Sequence, residues 1–450
     1  MRNKEEIFLV RFTRKRIKTS EKLVASMWQQ LLGKELTTEE GEQVRIVYTG
    51  RINGDSGPDF RDAIIIMNES NLMKGDVEIH ARPGDWYSHG HHRDAGYNGV
   101  ILHVVGYHDY NSVTLAQNGK SIPVLCLAGR LWPRIHTMPY YHLPCFQVME
   151  RMDKQTLRKL LDVAGEERFK QKAAFLQASL RREEAGQVLF RSMMRALGYS
   201  KNMKPFEELA CRVPLSFVEK METRESLLLK QAWLLGIAGL LPSQRLEGEF
   251  SIGSEVEELE QAWQLVGKET KTMSEGDWHF SHVYPNNFPV RRIVAQSYLL
   301  QRYYENGLLM GILQLVEGMP LIAASRGLED GLIVLGDDYW QDHFDFAVGS
   351  KTRKSALLGH SKAAEIIINV ILPFAFSWGK MADEPGLVEK AIELYLHYPK
   401  LAENEITRHM ARQLCLEDSS DFTACHQQGL IHILRNYCRE GKCSECPLVN

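Results

Sequence analysis

The pattern of apolar residues changes once along the chain, and this change is the strongest constraint on the fold. Between Val44 and Cys126 the apolar residues form short runs rich in β-branched side chains, separated by Gly, Asn, Asp and Pro. Such punctuated runs are typical of strands joined by turns. Beyond Met149 the apolar residues recur at the 3.6-residue spacing of amphipathic helices almost to the C-terminus. The pattern therefore predicts an N-terminal sheet domain followed by a larger helical domain.

A helix and six strands are expected before this change. Residues 19–32, TSEKLVASMWQQLL, carry a helical stripe of apolar side chains. The six β-rich runs that follow are VRIVYTG, DAIIIM, DVEIHA, GVILHVVGY, SVTLA and IPVLCLAG. A chain of 450 residues is long enough for more than one core. We therefore predict an α/β domain with a mixed sheet over residues 1–145 and an all-α domain over residues 146–450.

The charge balance gives no global case for nucleic-acid binding. The chain has 54 basic and 57 acidic residues and a net charge of −3, whereas nucleic-acid-binding domains usually carry a basic surface. A local exception is the basic stretch RFTRKRIKTSEK at residues 11–22. Any nucleic-acid partner must therefore be recognised by a local surface.

The hydropathy pattern favours a cytoplasmic protein without a membrane partner. The longest apolar run, Ile366 to Gly379, is interrupted by Asn369 and Pro373 and is shorter than the roughly 20 residues that span a bilayer. It is expected to form a buried helix. The N-terminus lacks the apolar centre of a signal peptide. In a reducing compartment the eight cysteines are expected to be thiols or metal ligands.

Acidic residues and a histidine on two neighbouring β-rich runs indicate a metal site. Asp59 precedes one run, while Asp76, Glu78 and His80 alternate on the next and therefore point to one face. If the two runs pair, Asp59 lies beside Glu78, and two carboxylates so close favour a cation between them. Oxygen ligands suit Mg²⁺ or Mn²⁺, and the adjacent histidine tolerates Mn²⁺ or Zn²⁺.

This arrangement resembles the PD-(D/E)XK nuclease superfamily. Pro58-Asp59 matches its first motif, Glu78-Ile79-His80 matches its (D/E)XK triplet, and Glu21 matches the helical glutamate of many members. The resemblance implies a restriction-endonuclease-like sheet in which carboxylates hold the Mg²⁺ that activates water for phosphodiester hydrolysis. His80 departs from the pattern, since the family usually has lysine there. A neutral imidazole can accept a proton or bind metal, but it lacks the fixed positive charge of lysine.

The chain also resembles, over nearly its whole length, a bacterial protein family of unknown function. That resemblance implies membership but no activity. It rests on GRINGDSGPDF, GDVEIHARPGDWYSHGHHRDAGYNGVILHVVGYHD, YPNNFPVRR, IIINVILPFAFSWGK and QQGLIHILRNYCREGKCSECP.

A second group of potential ligands follows the hairpin. Its members are Asp85, His89, His91, His92, Asp94, His103 and His108. His89, His91, Asp94 and His103 are candidates for contacting a phosphate or for an independent zinc site, although no defined zinc signature matches their spacing. The simpler interpretation is that His103 packs in the sheet with Trp86 and Tyr97 while the loop histidines are solvated.

The C-terminal cysteines predict a second metal site. Cys438, Cys443 and Cys446 form a C-x4-C-x2-C pattern, and Cys425 or His426 can supply a fourth ligand. Four such ligands suit structural Zn²⁺ or a [4Fe–4S] cluster. Free thiols are the alternative. The remaining cysteines, Cys126, Cys145, Cys211 and Cys415, are expected to be ordinary buried thiols.

Together these features predict a metal-dependent nuclease. Asp59 and Glu78 hold Mg²⁺ or Mn²⁺, His80 orients or deprotonates water, and Glu21 assists. Arg291 and Arg292, on a helix that starts near Pro289, are candidates for phosphate contact or for a solvated helix face. The alternatives are a non-catalytic nucleic-acid-binding module on a nuclease-like fold and a zinc hydrolase of a small substrate.

Overall fold

The chain divides into two compact units, seen here in a computed structural model. The first unit comprises Met1–Arg151, Ala411–Cys415 and Tyr437–Asn450, and the second comprises Met152–Met410 and Leu416–Asn436. The C-terminal cysteines thus belong to the first unit, although the sequence placed them in the helical domain. The structure describes residues 21–107, 113–127, 143–149, 151–221, 226–245, 253–267, 270–280, 283–321, 324–336, 338–346, 348–349, 356–414, 416 and 421–449.

A mixed seven-stranded sheet forms the centre of the first unit. The strands of this unit are β1 (Glu35–Thr37), β2 (Gln43–Tyr48), β3 (Arg51–Ile52), β4 (Phe60–Met67), β5 (Asn71–His80), β6 (Val100–Val105), β7 (Thr114–Leu115), β8 (Ser121–Ile122) and β9 (Val124–Cys126). The sheet order is β1-β2-β4-β5-β6-β9, with β3 paired to β4. Pairs up to β4–β5 are antiparallel, whereas β5–β6 and β6–β9 are parallel. β7 and β8 form a separate two-stranded ribbon.

The helix predicted at residues 19–32 is observed as α1 (Glu21–Gln29). Its buried residues, Val24 and Trp28, pack in one core with residues of the sheet such as Phe60. The Trp28 indole N–H donates a hydrogen bond to the Thr49 carbonyl oxygen (2.9 Å), so its polar atom is satisfied inside the core. The apolar stripe of α1 therefore covers the sheet, as the sequence predicted.

The C-terminal segment packs on the β4–β5 hairpin of the same unit. Arg439 forms an ion pair with Asp62 (2.6 Å), and the Lys74 ammonium lies 3.0 Å from the Glu440 carboxylate. These contacts join residues more than 300 positions apart in the sequence. The periodicity of the tail alone carried no sign of this partner.

Helices make up most of the second unit. The helices that follow α1 in the chain are α2 (Asp85–Ser88), α3 (Pro144–Met149), α4 (Lys154–Leu180), α5 (Ala185–Leu197), α6 (Tyr199–Arg212), α7 (Leu215–Glu219), α8 (Ser226–Ile237), α9 (Ser254–Val266), α10 (Pro289–Arg302), α11 (Gly307–Gly318), α12 (Ala324–Leu332), α13 (Asp338–Asp342), α14 (His360–Ile366), α15 (Leu372–Ala382), α16 (Pro385–His397), α17 (Glu405–Gln413) and α18 (Ala424–Ile433). α2 and α3 belong to the first unit. A mixed sheet followed by a mostly helical region confirms the predicted fold class.

One stretch of the described chain, His360–Ala382, is long and apolar enough to cross a membrane by length and composition. It joins α14 and α15 through a π-helical turn at Ile367–Ile371. Of its 18-residue apolar window, 72% is buried within the protein. This burial agrees with the buried helix expected from Ile366 to Gly379.

Glycine permits the close approach of α4 and α18. A Cβ atom at Gly429 of α18 would lie 2.3 Å from the carbonyl oxygen of Leu161, and one at Gly165 of α4 would lie 2.4 Å from that of Cys425. Real Cβ atoms do not approach backbone this closely, so any larger side chain must separate the two helices.

We predict that Gly429→Ala lowers the free energy of unfolding by about 1–3 kcal/mol through overpacking. Gly386→Ala is the matched control, because a Cβ there meets nothing within 4 Å and alanine favours a helix. Urea titration monitored by circular dichroism gives both values. Equal stability of the two variants would show that the helix contact tolerates a methyl group.

Candidate metal centre

The register of the sheet brings Asp59 and Glu78 together, as the sequence predicted. Phe60 pairs with Val77 across the antiparallel β4–β5 ladder. The Asp59 N–H donates to Glu78 Oε2 (3.1 Å), and the Ile79 N–H donates to Asp59 Oδ2 (3.0 Å). Each carboxylate thus has one oxygen held by the backbone of the neighbouring strand.

The loop after β5 returns two histidines to the end of that strand. The short helix α2 is followed by His89, then by Gly90 with a φ of 78°, then by a 3-10 turn from His91 to Arg93. The left-handed conformation of Gly90 lets the chain reverse between the two histidines. As a result, ring nitrogens of His80, His89 and His91 all lie within 4.8 Å of one another.

Glu78 adds an oxygen to this group. Its Oε1 lies 3.2 Å from His91 Nε2 and 3.5 Å from His80 Nε2, and His80 Nε2 lies 3.1 Å from His89 Nδ1. Ligands bonded to one tetrahedral Zn²⁺ at 2.0–2.1 Å are separated by about 3.3 Å. His91 Nε2 is buried, and its contact with Glu78 Oε1 does not have hydrogen-bond geometry. A buried nitrogen beside a carboxylate oxygen is suited to share a metal with it.

A chain of hydrogen bonds behind His80 fixes its ring. His80 Nδ1 lies 2.9 Å from His103 Nε2, and His103 Nδ1 lies 3.0 Å from Thr114 Oγ1. His103 reaches this position because it pairs with Glu78 across the parallel β5–β6 ladder. If Nδ1 of both rings carries the proton, each donates outward and the lone pair of His80 Nε2 faces the cluster. Such orientation of a ligand by an outer partner is usual in metal sites.

Aromatic side chains close the site from the loop side. The Tyr97 ring stacks on His91 at a centroid distance of 3.9 Å. Trp86 contacts His80 and His91 edge to face, and its indole N–H donates to the Leu115 carbonyl oxygen. The expectation that Trp86, Tyr97 and His103 pack against the sheet is therefore confirmed.

Burial keeps the inner histidines neutral. Removal from water, followed by the effect of neighbouring histidines, lowers the pKa of His80 to about 2 and that of His103 to about 3. A neutral imidazole is the form that binds a metal. These two rings are therefore in the ligand form at any ordinary pH.

Asp59 has the opposite shift. Burial, followed by the charge of Glu78, raises the pKa of Asp59 to about 7, and Glu21 on α1 contributes to the increase. Glu21 thus acts electrostatically on the predicted site, although it is exposed. A carboxyl group that titrates near neutral pH is suited to transfer protons under physiological conditions.

Other predicted ligands have different roles. Asp76 accepts hydrogen bonds from Arg61 and from the Asp62 N–H, and Asp94 accepts one from the Gly96 N–H at the start of a 3-10 turn. His92 packs against Tyr87 outside the cluster. His108 and the basic residues 11–20 lie outside the residues that the structure describes.

Arg291 and Arg292 lie inside the protein. This position corrects both their expected contact with a phosphate and the alternative of a solvated helix face. Both are buried, at 0% and 5% exposure. Arg291 donates to the carbonyl oxygens of Trp340 and His343, and Arg292 donates to that of Leu357. Both guanidinium groups therefore serve the interior of the helical unit.

Cys425 and the three tail cysteines belong to different units. Cys425 is fully buried in the helical unit, where its thiol donates to the Asp162 carbonyl oxygen (3.6 Å). Cys438, Cys443 and Cys446 belong to the sheet unit, together with Cys145. The Gln413 side-chain amide nitrogen lies 3.8 Å from the sulfurs of both Cys145 and Cys438. Cys126 and Cys145 are buried thiols, as expected, whereas Cys211 is exposed, which corrects its expected burial. Cys415 lies outside the described residues.

Sequence reasoning missed Thr114, Tyr97 and Cys145 as members of these sites. None of them belongs to a recognisable ligand motif. The Thr114 hydroxyl, the Tyr97 ring and the Cys145 thiol come close to the other residues only through the tertiary structure. A signal did exist for the histidine loop. The His-Gly-His sequence at 89–91 shortly follows a strand ending in Glu-Ile-His, which suggests one site where the sequence analysis described two.

The fold and the site define a two-unit protein whose mixed-sheet unit carries a cluster of histidines and carboxylates at the ends of paired strands. The chain belongs to DUF2851, a family of proteins of unknown function, whose sequence pattern matches residues 21–404. Membership in a family of unknown function is thereby confirmed. No curated protein and no solved structure matches the chain. The nuclease resemblance stays a prediction.

We predict that Asp59→Asn stabilises the metal-free protein at pH 8 by on the order of 1–2 kcal/mol. The pKa of Asp59 is raised to about 7 from 3.8, so the folded state retains a proton that the unfolded state releases as pH rises. The stability that the protonated carboxyl contributes is lost through this range, and asparagine avoids that loss. The gain should shrink from pH 8 to pH 5 in urea titrations with EDTA.

Asp62→Asn is the control, since Asp62 forms ion pairs with Arg51 and Arg439 and its loss should lower stability at pH 8. Destabilisation by Asp59→Asn at both pH values would contradict the raised pKa.

Proposed function

We propose that this protein is a metal-dependent hydrolase of nucleic-acid phosphodiester bonds. The metal would be held by His80, His89 and His91, with Glu78 beside it. The observation that carries the proposal is the convergence of three ring nitrogens within 4.8 Å, together with Glu78 Oε1 at 3.2–3.5 Å from two of them.

The donor set favours Zn²⁺, with Mn²⁺ second, over the Mg²⁺ expected from the carboxylates alone. Imidazole nitrogen is a poor ligand for Mg²⁺, which prefers oxygen and retains water. Three histidines leave a coordination position for water, as in catalytic zinc sites. When bound, the metal would supply a Lewis acid and lower the pKa of that water.

Residues of the chain would provide the proton transfer and the orientation. Asp59, which lies beside Glu78 on the paired strand, can accept a proton at its carboxylate and return it to a leaving oxygen. His103 and Thr114 hold the His80 ring with Nε2 toward the cluster. The stacked Tyr97 ring limits rotation of His91. This division of roles differs from the sequence-based one, in which His80 handled the proton.

The choice of a phosphodiester as substrate is based on the β4–β5 hairpin. Asp59 and Glu78 lie side by side on paired strands, and α1 carries Glu21 within electrostatic range of Asp59. This is the set of positions that resembles the PD-(D/E)XK superfamily. The resemblance supports nucleic acid as the first substrate to test.

A zinc-dependent hydrolase of a small substrate is the second candidate, and the nitrogen-rich ligand set favours it. The two candidates share the metal centre and differ in what they cleave. Hydrolysis of 4-nitrophenyl acetate without cleavage of bis(4-nitrophenyl) phosphate or oligonucleotides would select the second.

We predict that His91→Ala weakens Zn²⁺ binding by at least ~100-fold in competition titrations with a chromogenic chelator, because it removes a ligand. His92→Ala is the control, since its ring packs on Tyr87 next to the cluster. Its affinity should stay within about 2-fold of wild type. Equal losses in both variants would argue against this metal centre.

We expect the Zn²⁺- or Mn²⁺-loaded protein to cleave labelled single- or double-stranded DNA or RNA, and Asp59→Asn to lower kcat by ~100-fold or more. The metal affinity of that variant should change far less than its kcat. Salt-sensitive binding of the oligonucleotides without any product would instead indicate the non-catalytic binding module.

A further inference from the structure

An open cavity of about 730 Å³ lies within the helical unit, at some distance in sequence from every residue of the metal centre. Side chains of α4 line one wall, and α5, the α14 region and α18 contribute others. This volume is in the range of small-ligand sites.

The α4 wall is strongly basic. Arg168 and Lys172 are one helical turn apart and therefore share a face. Lys172 donates to the amide oxygens of Asn369 and Gln428 (2.5 and 2.8 Å), and Arg168 Nε donates to the same Gln428 oxygen (2.7 Å). Among the described residues, no carboxylate lies within ion-pair distance of either cation.

The charges of these cations are therefore uncompensated by neighbouring acids. Burial and mutual repulsion with Arg435, which also lines the cavity, lower the pKa of both Arg168 and Lys172. Among the described residues that line the cavity, the one acidic side chain, that of Glu365, already pairs with Lys362 (2.9 Å). Holding cations this close costs free energy that a bound anion would recover.

The same face of α4 continues into an apolar surface. Phe175, three residues after Lys172, lines the cavity and is 69% exposed. Leu176 and Val370 lie in the same lining. The exposed aromatic ring can contact a planar group of a ligand, and the basic α4 wall beside it can contact an anionic group of the same ligand.

We propose that this cavity binds an organic phosphate of nucleotide size. Its phosphates contact Lys172, Arg168 and Arg435, and its planar group packs on Phe175.

Calorimetry with ATP, pyrophosphate and adenosine tests this assignment on the full-length protein. ATP and pyrophosphate should bind and adenosine should not. Lys172→Met should weaken ATP binding at least 10-fold, whereas Lys170→Met, on the same helix but exposed and paired with Glu166 and Glu167, should not change it. Phe175→Ala should weaken the binding of ATP more than the binding of pyrophosphate. Because Phe175 is exposed, this variant tests the assignment even if the Lys172 variant does not fold.

Equal binding of adenosine and ATP, or equal affinity of the Lys172 and Lys170 variants, would overturn the assignment. Zn²⁺ affinity at the histidine cluster is measured separately, so either site can fail without the other.

Four cysteines of the sheet unit lie within electrostatic range of one another, although no three of their sulfurs converge within 4.8 Å as the histidine nitrogens do. Cys145, on α3, and Cys438 both lie 3.8 Å from the Gln413 amide nitrogen, so their sulfurs are no more than twice that distance apart. Cys443 and Cys446 follow Cys438 in a C-x4-C-x2-C segment with a 3-10 turn at Cys443–Glu445. All four are buried or partly buried.

Amide donors aim at these sulfurs. Besides Gln413, the Leu448 N–H hydrogen-bonds to the Cys446 sulfur. Outer N–H donors of this kind orient the thiolate ligands of a metal site once metal has displaced their protons.

We infer that Cys145, and not Cys425, is the fourth ligand of a tetrathiolate metal site with Cys438, Cys443 and Cys446. The site would attach the C-terminal segment to the sheet unit, next to the ion pairs of Arg439 and Lys74.

Elemental analysis of anaerobically purified protein should find zinc or iron, with absorbance near 400 nm marking an iron–sulfur cluster. Cys145→Ser should lose at least half of that metal, and Cys425→Ser should retain it. Should Cys145→Ser not fold, Cys443→Ser, at a partly exposed position, replaces it. Metal lost from Cys425→Ser but kept in Cys145→Ser, or no thiol-bound metal in the wild type, would overturn the inference.

Discussion

The candidate centre depends on the reciprocal hydrogen bonds between Asp59 and the β5 strand. The Asp59 N–H donates a hydrogen bond to the Glu78 carboxylate, and the Asp59 carboxylate accepts one from the Ile79 N–H. The ordered backbone of the sheet therefore fixes the two carboxylates next to each other. Burial, and then the nearby charge of Glu78, raises the pKa of Asp59 to about 7. The returning loop then brings His91 to Glu78 and His89 to His80. The proposed metal would interact with both the carboxylates and the histidines.

The two units distribute charge differently. In the sheet unit, clustered histidines and carboxylates have lone pairs suited to a cation. In the helical unit, the side chains of Lys172 and Arg168 are hydrogen-bonded to neutral amide groups, and they offer N–H groups to an anion. The guanidinium groups of Arg291 and Arg292 are also cationic, but they donate hydrogen bonds to backbone carbonyl oxygens instead. Whether a charged side chain serves the fold or a ligand is thus decided by the acceptors that surround it.

Periodicity was sufficient for the larger elements. The α1 stripe and the runs that became β2, β4, β5 and β6 were found because each buries one face or both against a core. Strands β1, β3 and β8 have two or three residues, too few for an alternating pattern. The Glu78 and His80 pair was also found, since both project from one strand face. Its relation to His89 and His91 was not, because a loop has no period from which direction can be read.

The sequence by itself determined the order of a sheet and a helical region, the pairing of Asp59 with Glu78 and the presence of a C-terminal thiol group. These follow from local spacing, which backbone geometry converts directly into direction. Only the tertiary structure decided that the histidine loop and the hairpin form one cluster, that Cys145 lies by Cys438, and that Lys172 and Arg168 face a cavity. Cys145 and Cys438 are far apart in the chain. The direction of the histidine loop and the walls of the cavity are set by the packing of whole elements, which no short pattern encodes.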